Sequence, residues 1–199
     1  MNYYIGDLHL FHRNVTDEGK NFDKRPFKTL DEMHRVIAER WNKRVTERDT
    51  VYILGDVTMH SKMADLIPVV SELKGHKFLI RGNHDKISNV NYRALYDDIF
   101  DYKEVKERYN DEKVRLVLSH YPILFWNHQH NGSILLYGHV HNTREEDFFQ
   151  KCVKEIDWIE EHDAVAINVG CMMSYMDYTP RTLAEIIDGY KEMVSDRND

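Results

Sequence analysis

The stretch FLIRGNHDK, residues 78–86, decides how this chain is read. Phe78-Leu79-Ile80 has the character of a short buried strand. Gly82-Asn83-His84-Asp85 then replaces apolar side chains with polar or backbone-permissive ones. A turn accounts for Gly and Asn, since both tolerate left-handed backbone conformations. It does not account for His followed by Asp. Taken alone, that pair reads as a surface loop, so the question is whether the pattern recurs.

It does recur. Tyr4-Ile5 runs into Gly6-Asp7-Leu8-His9, and Val51–Leu54 runs into Gly55-Asp56. Val114–Leu118 runs into Ser119-His120, and Ile134–Tyr137 into Gly138-His139-Val140-His141. Each buried run ends in oxygen or imidazole ligands beside small residues. The carboxyl ends of strands are where such folds leave room for a ligand on a rigid base. Neutral imidazole and carboxylate suit intermediate divalent metals, and no cysteine stands in these motifs to favour softer chemistry. Strand geometry of period two predicts Asp7 with His9, and His139 with His141, on one side of an extended segment. A lone Asp56 or His120 would be an ordinary turn or core residue. Five such tips in one chain indicate a metal site.

Around these tips, short apolar runs alternate with helical patterns, which predicts a layered α/β or α+β architecture. The expected strands are Tyr3–Ile5, Thr50–Leu54, Lys77–Ile80, Val114–Leu118, Ser133–Tyr137 and Ala164–Val169. Tyr102–Arg108 should pair with 114–118 through the turn Asn110-Asp111-Glu112-Lys113. Thr29-Leu30-Asp31-Glu32 has capping-box form, followed by Met33, Val36, Ile37, Arg40 and Trp41 on one helix face. A second helix is expected around Leu66–Leu73, with Pro68 in its first turn, and a C-terminal one over 182–194. Phe148, Phe149, Cys152, Val153, Ile156 and Ile159 recur at helical spacing between 146 and 160. That face must be buried; the expectation is a helix packed over the rim of the site or against a second subunit as a homo-oligomer, with packing on the chain's own core as the alternative.

The bulk properties narrow the class. A chain of 199 residues fits a single domain, 1–199. Its net charge of −7 disfavours nucleic acid as a partner, since a nucleic-acid backbone needs a positive stripe. Cys152 and Cys171 form no disulfide framework and no CxxC motif, so a reducing compartment is expected. No apolar stretch reaches membrane-spanning length, and Tyr3-Tyr4-Ile5 reads as a first strand rather than a signal peptide. A cytoplasmic protein with no membrane partner is the expectation.

Asp7-x-His9, Gly55-Asp56, Gly82-Asn83-His84-Asp85, His120 and Gly138-His139-x-His141, in this order, resemble the signature of the calcineurin-like metallophosphoesterases. Arg25-Pro26-Phe27 is similar to a segment of small bacterial and phage-type members. The resemblance implies an α+β fold, a four-layer αββα sandwich of two packed mixed sheets flanked by helices. It also implies two divalent metal ions (Mn, Fe, Zn or Ni). Asp7, His9 and His141 would hold one ion, Asn83, His120 and His139 the other, and Asp56 would bridge them. His84 would face substrate and leaving group, with Asp85 orienting its ring. The implied reaction is attack of hydroxide, made available at the metal pair, on a small phosphomonoester, phosphodiester or nucleotide. His12 and Arg13 are further candidates for substrate binding, with Tyr121, Trp126, His128 and His130 after the fourth motif. A nuclease is the alternative, and would need an extended basic surface or a capping domain. A non-catalytic protein-binding scaffold is the other, and would have lost ligands or His84.

Overall fold

Alternating side chains along each strand sort this chain into layers. The computed structural model describes residues 1–59, 62–156 and 164–196. Its first sheet has the order β1 (Asn2–Ile5), β2 (Thr50–Ile53), β3 (His76–Ile80), β4 (Asp98–Phe100), all parallel. In the second, β5 (Tyr102–Tyr109) runs antiparallel to β6 (Glu112–Ser119), and β7 (Ile134–Tyr137) and β8 (Val165–Asn168) add in parallel. Only the second sheet is therefore mixed. Parallel neighbours need a long crossover, whereas an antiparallel pair needs only a tight turn. That turn is Asn110-Asp111, with φ of 50° and 64°, and it is two residues long rather than four.

Tyr3 donates its hydroxyl to Arg44 O of α1 (Leu30–Arg44), while the next residue, Tyr4, donates to Glu107 of β5. The first sheet thus lies between a helical layer and the second sheet. On its inner side Tyr4, Tyr52, Phe78 and Phe100 stack across the strands, with centroids 5.5, 5.5 and 6.3 Å apart. In the second sheet Leu116, Leu118, Leu136 and Ile167 fill the core between the sheets. Val117, Leu135, Tyr137 and Ala166 point outward, where Phe149 and Val153 of α4 (Arg144–Ile156) cover them. This is the expected αββα sandwich. Helix α5 (Leu183–Asp196) touches β1, β5 and β8. Among the described residues, no helix is long and apolar enough to cross a membrane.

Several expectations need correction. Pro68 lies inside α2 (Met63–Ser71), past its first turn; burial of Leu66 and Val70 keeps the helix intact across the missing N–H. Helix α4 packs on the chain's own second sheet, so Phe149 and Val153 are not free to face the site rim or another subunit, while Phe148 is exposed. Ile159 lies outside the described residues. Strand β4 and the single turn α3 (Val90–Arg93), capped by Asn89, were not expected from the sequence.

Helix α1 begins where its cap predicts. Thr29 Oγ1 accepts from Glu32 N at 3.1 Å, and Glu32 reaches back to Lys28 N at 2.8 Å. Met33, Ile37 and Trp41 are buried, with Val36 and Arg40 partly exposed on the flank. The Trp41 indole N–H donates to Lys74 O at 2.9 Å. Trp41→Ala should therefore lower unfolding free energy by about 3–5 kcal/mol. Urea denaturation should show this as a lower midpoint with an unchanged slope.

Candidate metal centre

Strands β1, β2, β3, β6 and β7 deliver their polar tips to one edge of the sandwich. Backbone bonds knit these tips together. Asp7 N donates to Gly55 O at 3.1 Å, His9 N to Asp56 O at 3.0 Å, and Gly138 N to His120 O at 3.0 Å. Asp7, His9 and His141 bring ligand atoms within 4.8 Å of one another, as do Asp56, His120 and His139. Each group could hold a metal ion. Asp56 stands between them, with Oδ1 3.6 Å from His120 Nε2 and Oδ2 3.7 Å from His9 Nε2. Asn83 Oδ1 lies 3.0 Å from His120 Nε2.

These side chains do not converge through strand periodicity. Asp7, His9, Asp56, His139 and His141 have φ of 51°, 49°, 50°, 71° and 51°, all in the left-handed region. Strand periodicity is therefore not the cause: the candidate ligands sit past the strand ends, Asp7 and His9 share a group as expected but without an extended backbone, and His139 and His141 diverge into separate groups. Such conformations cost about 1–3 kcal/mol each and concentrate at functional sites. Asp, Asn and His enter this region more readily than most residues. Close approach explains Gly138, where a Cβ would meet Asp7 Oδ2 at 2.5 Å.

The donor set fits divalent cations. His141 Nδ1 lies 2.8 Å from Asp23 Oδ2, and His120 Nδ1 lies 2.9 Å from Leu54 O. With Nδ1 donating, each ring is left with an Nε2 lone pair for the centre. His9 Nε2 faces His141 Nε2 at 3.0 Å, and His9 Nδ1 is buried with no hydrogen-bond partner. Burial, then the neighbouring His141 and Arg25, hold His9 well below the ordinary histidine value. Burial, then His120, also lowers His139, so both rings are neutral and able to ligate. Burial raises the Asp7 carboxyl, the cost of a buried carboxylate that a cation would offset.

Two residues not singled out as site residues from the sequence hold this arrangement. Arg25, fully buried, donates to Leu8 O and Asp7 O, each at 2.8 Å, and through Nε to Asp23 Oδ2 at 3.0 Å. One guanidinium thus pins the first ligand loop and the carboxylate that orients His141. Burial alone would raise Asp23, but the hydrogen bond from His141 and the charge of Arg25 bring it below its usual range. The Arg25-Pro26-Phe27 segment was the only signal for this pair.

Asp85 does not orient the His84 ring. Its carboxylate accepts from Asp56 N (3.1 Å), Val57 N (3.1 Å), Gly82 N (2.7 Å) and the Tyr92 hydroxyl (2.5 Å). It staples the Asp56 loop to the Asn83 loop, and no hydrogen bond among the described residues joins it to the His84 ring. His84 itself belongs to neither ligand group; its backbone N–H donates to Asp56 Oδ1 at 2.9 Å, and its ring is partly exposed with Nε2 3.9 Å from Asp56 Oδ2.

His84 shares a cleft of about 400 Å³ with His12, Phe22, Met59 and Glu145. Arg13 is exposed and does not line it. Tyr121 packs on His139, centroids 4.6 Å apart, beside the recess at Asn83. Trp126 is buried in the outer core, donating to Ser133, which removes it as a stacking surface. His128 lines a different groove, and His130 is exposed and lines neither.

Asp23→Asn should weaken metal binding about 10–100-fold, the usual effect of losing an outer-shell partner of a ligating histidine. A metal titration under competing chelator reads this directly, and unchanged affinity would remove the role given to Asp23.

Comparison with known proteins agrees with the geometry. The family model described as calcineurin-like phosphoesterase matches residues 3–186. An uncharacterized protein of Methanocaldococcus jannaschii, MJ1445, is 29% identical over 147 residues, covering 73% of this chain and 72% of the relative. The Gene 66 protein of Mycobacterium phage L5 is 27% identical over 164 residues, covering 70% of this chain and 77% of the relative. Among solved structures, AQ665 from Aquifex aeolicus superposes with a TM-score of 0.61 at 27% identity, covering 90% of this chain and 94% of that one. With the family model spanning nearly its whole length, the chain belongs to the calcineurin-like phosphoesterase family.

Proposed function

We propose that this protein is a dinuclear-metal-dependent phosphoesterase that hydrolyses a small phosphomonoester, phosphodiester or nucleotide. The observation that carries the reading is Asp56, whose two oxygens lie 3.6 and 3.7 Å from imidazole nitrogens of separate ligand groups. That is the disposition of a carboxylate shared by two cations. Asp7, His9 and His141 would complete one site, and Asn83, His120 and His139 the other. When bound, a pair of divalent ions supplies an activated water and a clamp for phosphoryl oxygens. The imidazole-rich set suits Mn, Fe, Zn or Ni.

The chain's own groups account for the rest. Asn83 offers a neutral amide oxygen, which limits the negative charge gathered around the phosphoryl group. His84 donates a proton to the leaving oxygen or steadies its charge. His12 and the exposed edges of Phe22 and Met59 line the cleft where the organic part of a small substrate would sit.

Leaving-group dependence tests the reading. His84→Ala should keep the parent metal content. It should lower kcat/KM toward ~10²–10⁴-fold for alkyl phosphates, whose basic alkoxide needs a proton, and less for p-nitrophenyl phosphate. Equal losses on both would reduce His84 to an electrostatic role, and absence of turnover by the metal-loaded parent on any phosphoester would overturn the hydrolytic reading.

A further inference from the structure

We propose that the outer face of the β5–β6 hairpin is a binding surface for single-stranded nucleic acid. Register pairs Lys106 directly with Arg115, and Arg108 directly with Lys113. Glu107, of opposite parity on β5, points inward to Tyr4, and Val117, of like parity with Arg115 on β6, points outward. The four cations therefore share the outer face. Helix α4 covers this face over β7 and β8, and the Trp126 loop covers it at Val117. The distal half of the hairpin stays open as a groove of about 560 Å³, rimmed also by His128 and Asn131; Glu107 borders it, with its carboxylate turned inward to Asn2 and Tyr4.

Like charges placed directly across a strand pair are destabilising, so two such pairs side by side cost stability in an uncomplexed sheet. Local carboxylates relieve this only in part. Arg115 pairs with Glu104 at 3.2 Å, and Arg108 with Asp111 at 3.8 Å. Lys106 and Lys113 have no carboxylate partner among the described residues. In a chain of net charge −7, this is a local reversal of sign.

The groove selects its occupant by what it lacks. No outer-face side chain lining it is apolar, since Val114 shares the inward parity of Glu107 and packs on the core between the sheets, so a protein partner would find no aliphatic anchor within the groove. A phosphate backbone needs none, because charge and counterion release supply its affinity. Arg108 and Arg115 add planar guanidinium donors suited to phosphate oxygens. Further along the same outer face, toward the metal end, Tyr102 is exposed and offers a ring for a base. The cations themselves are remote from the chemistry: Arg115 and Lys113 precede His120 by roughly 17 and 23 Å of strand at about 3.3 Å per residue. The inference concerns binding and does not rest on the hydrolytic reading.

Fluorescence anisotropy with labelled oligothymidylate and oligouridylate, titrated against the full chain over a range of salt, tests it. With four cations engaged, log affinity should fall with log salt at a slope of about −3. Lys106→Gln/Lys113→Gln should halve that slope and weaken binding at least tenfold in low salt. The double variant should melt no lower than the parent, since it relieves like-charge contacts, and should hydrolyse p-nitrophenyl phosphate at the parental rate. Failure of the parent to bind either strand, or equal binding by the double variant, would overturn the proposal. Displacement of the strand by oligo-aspartate of equal charge at equal concentration would overturn it in favour of an acidic protein partner.

Discussion

Asp7 and Asp56 are buried within a few ångströms of each other's histidine partners, at 0% and 2% exposure, at the edge where two sheets meet. Carboxylates buried this far from water are costly unless cations answer them. Neutral imidazoles cannot do so alone, and burial keeps His9 and His139 neutral. The rest of this edge is arranged around that demand. Arg25 supplies a fixed positive charge behind the first ligand loop, Asp23 turns His141 toward the centre, and Asp85 ties the Asp56 and Asn83 loops together.

The layers follow from the same demand. The candidate ligands contributed by β1, β2, β3, β6 and β7 meet only if both sheets end at one edge in register. The parallel strands of the first sheet and the bridge between Gly6 and Gly170 secure this. Left-handed backbone at five ligand positions turns the side chains inward once the strands are over. The sandwich core holds those strained loops in place.

Much of this was legible in residues alone. Strand ends carrying Asp7, His9, Asp56, Asn83, His120, His139 and His141 stand out because buried runs rarely end in carboxylate, amide and imidazole groups. Other features were hidden for physical reasons. Backbone handedness leaves no trace in a motif, so the route by which Asp7 and His9 converge was misread. Asp23 lies in a loop with no period to mark it. Asp85 follows His84 in sequence, yet its oxygens are taken by the backbone N–H groups of Asp56, Val57 and Gly82 and by the Tyr92 hydroxyl. Strand β4 is three residues flanked by aspartates. Net charge averaged away the four cations that the hairpin register gathers on one face.

The account stands on Asp56 joining two sites into one centre. Metal content after equilibration with excess manganese or zinc and desalting, by plasma mass spectrometry, tests this most directly. The parent should retain two ions per chain, and Asp56→Asn should lose most of both, since a bridging carboxylate serves each. A variant that keeps one ion at full occupancy, or a parent that never holds more than one, would contradict it.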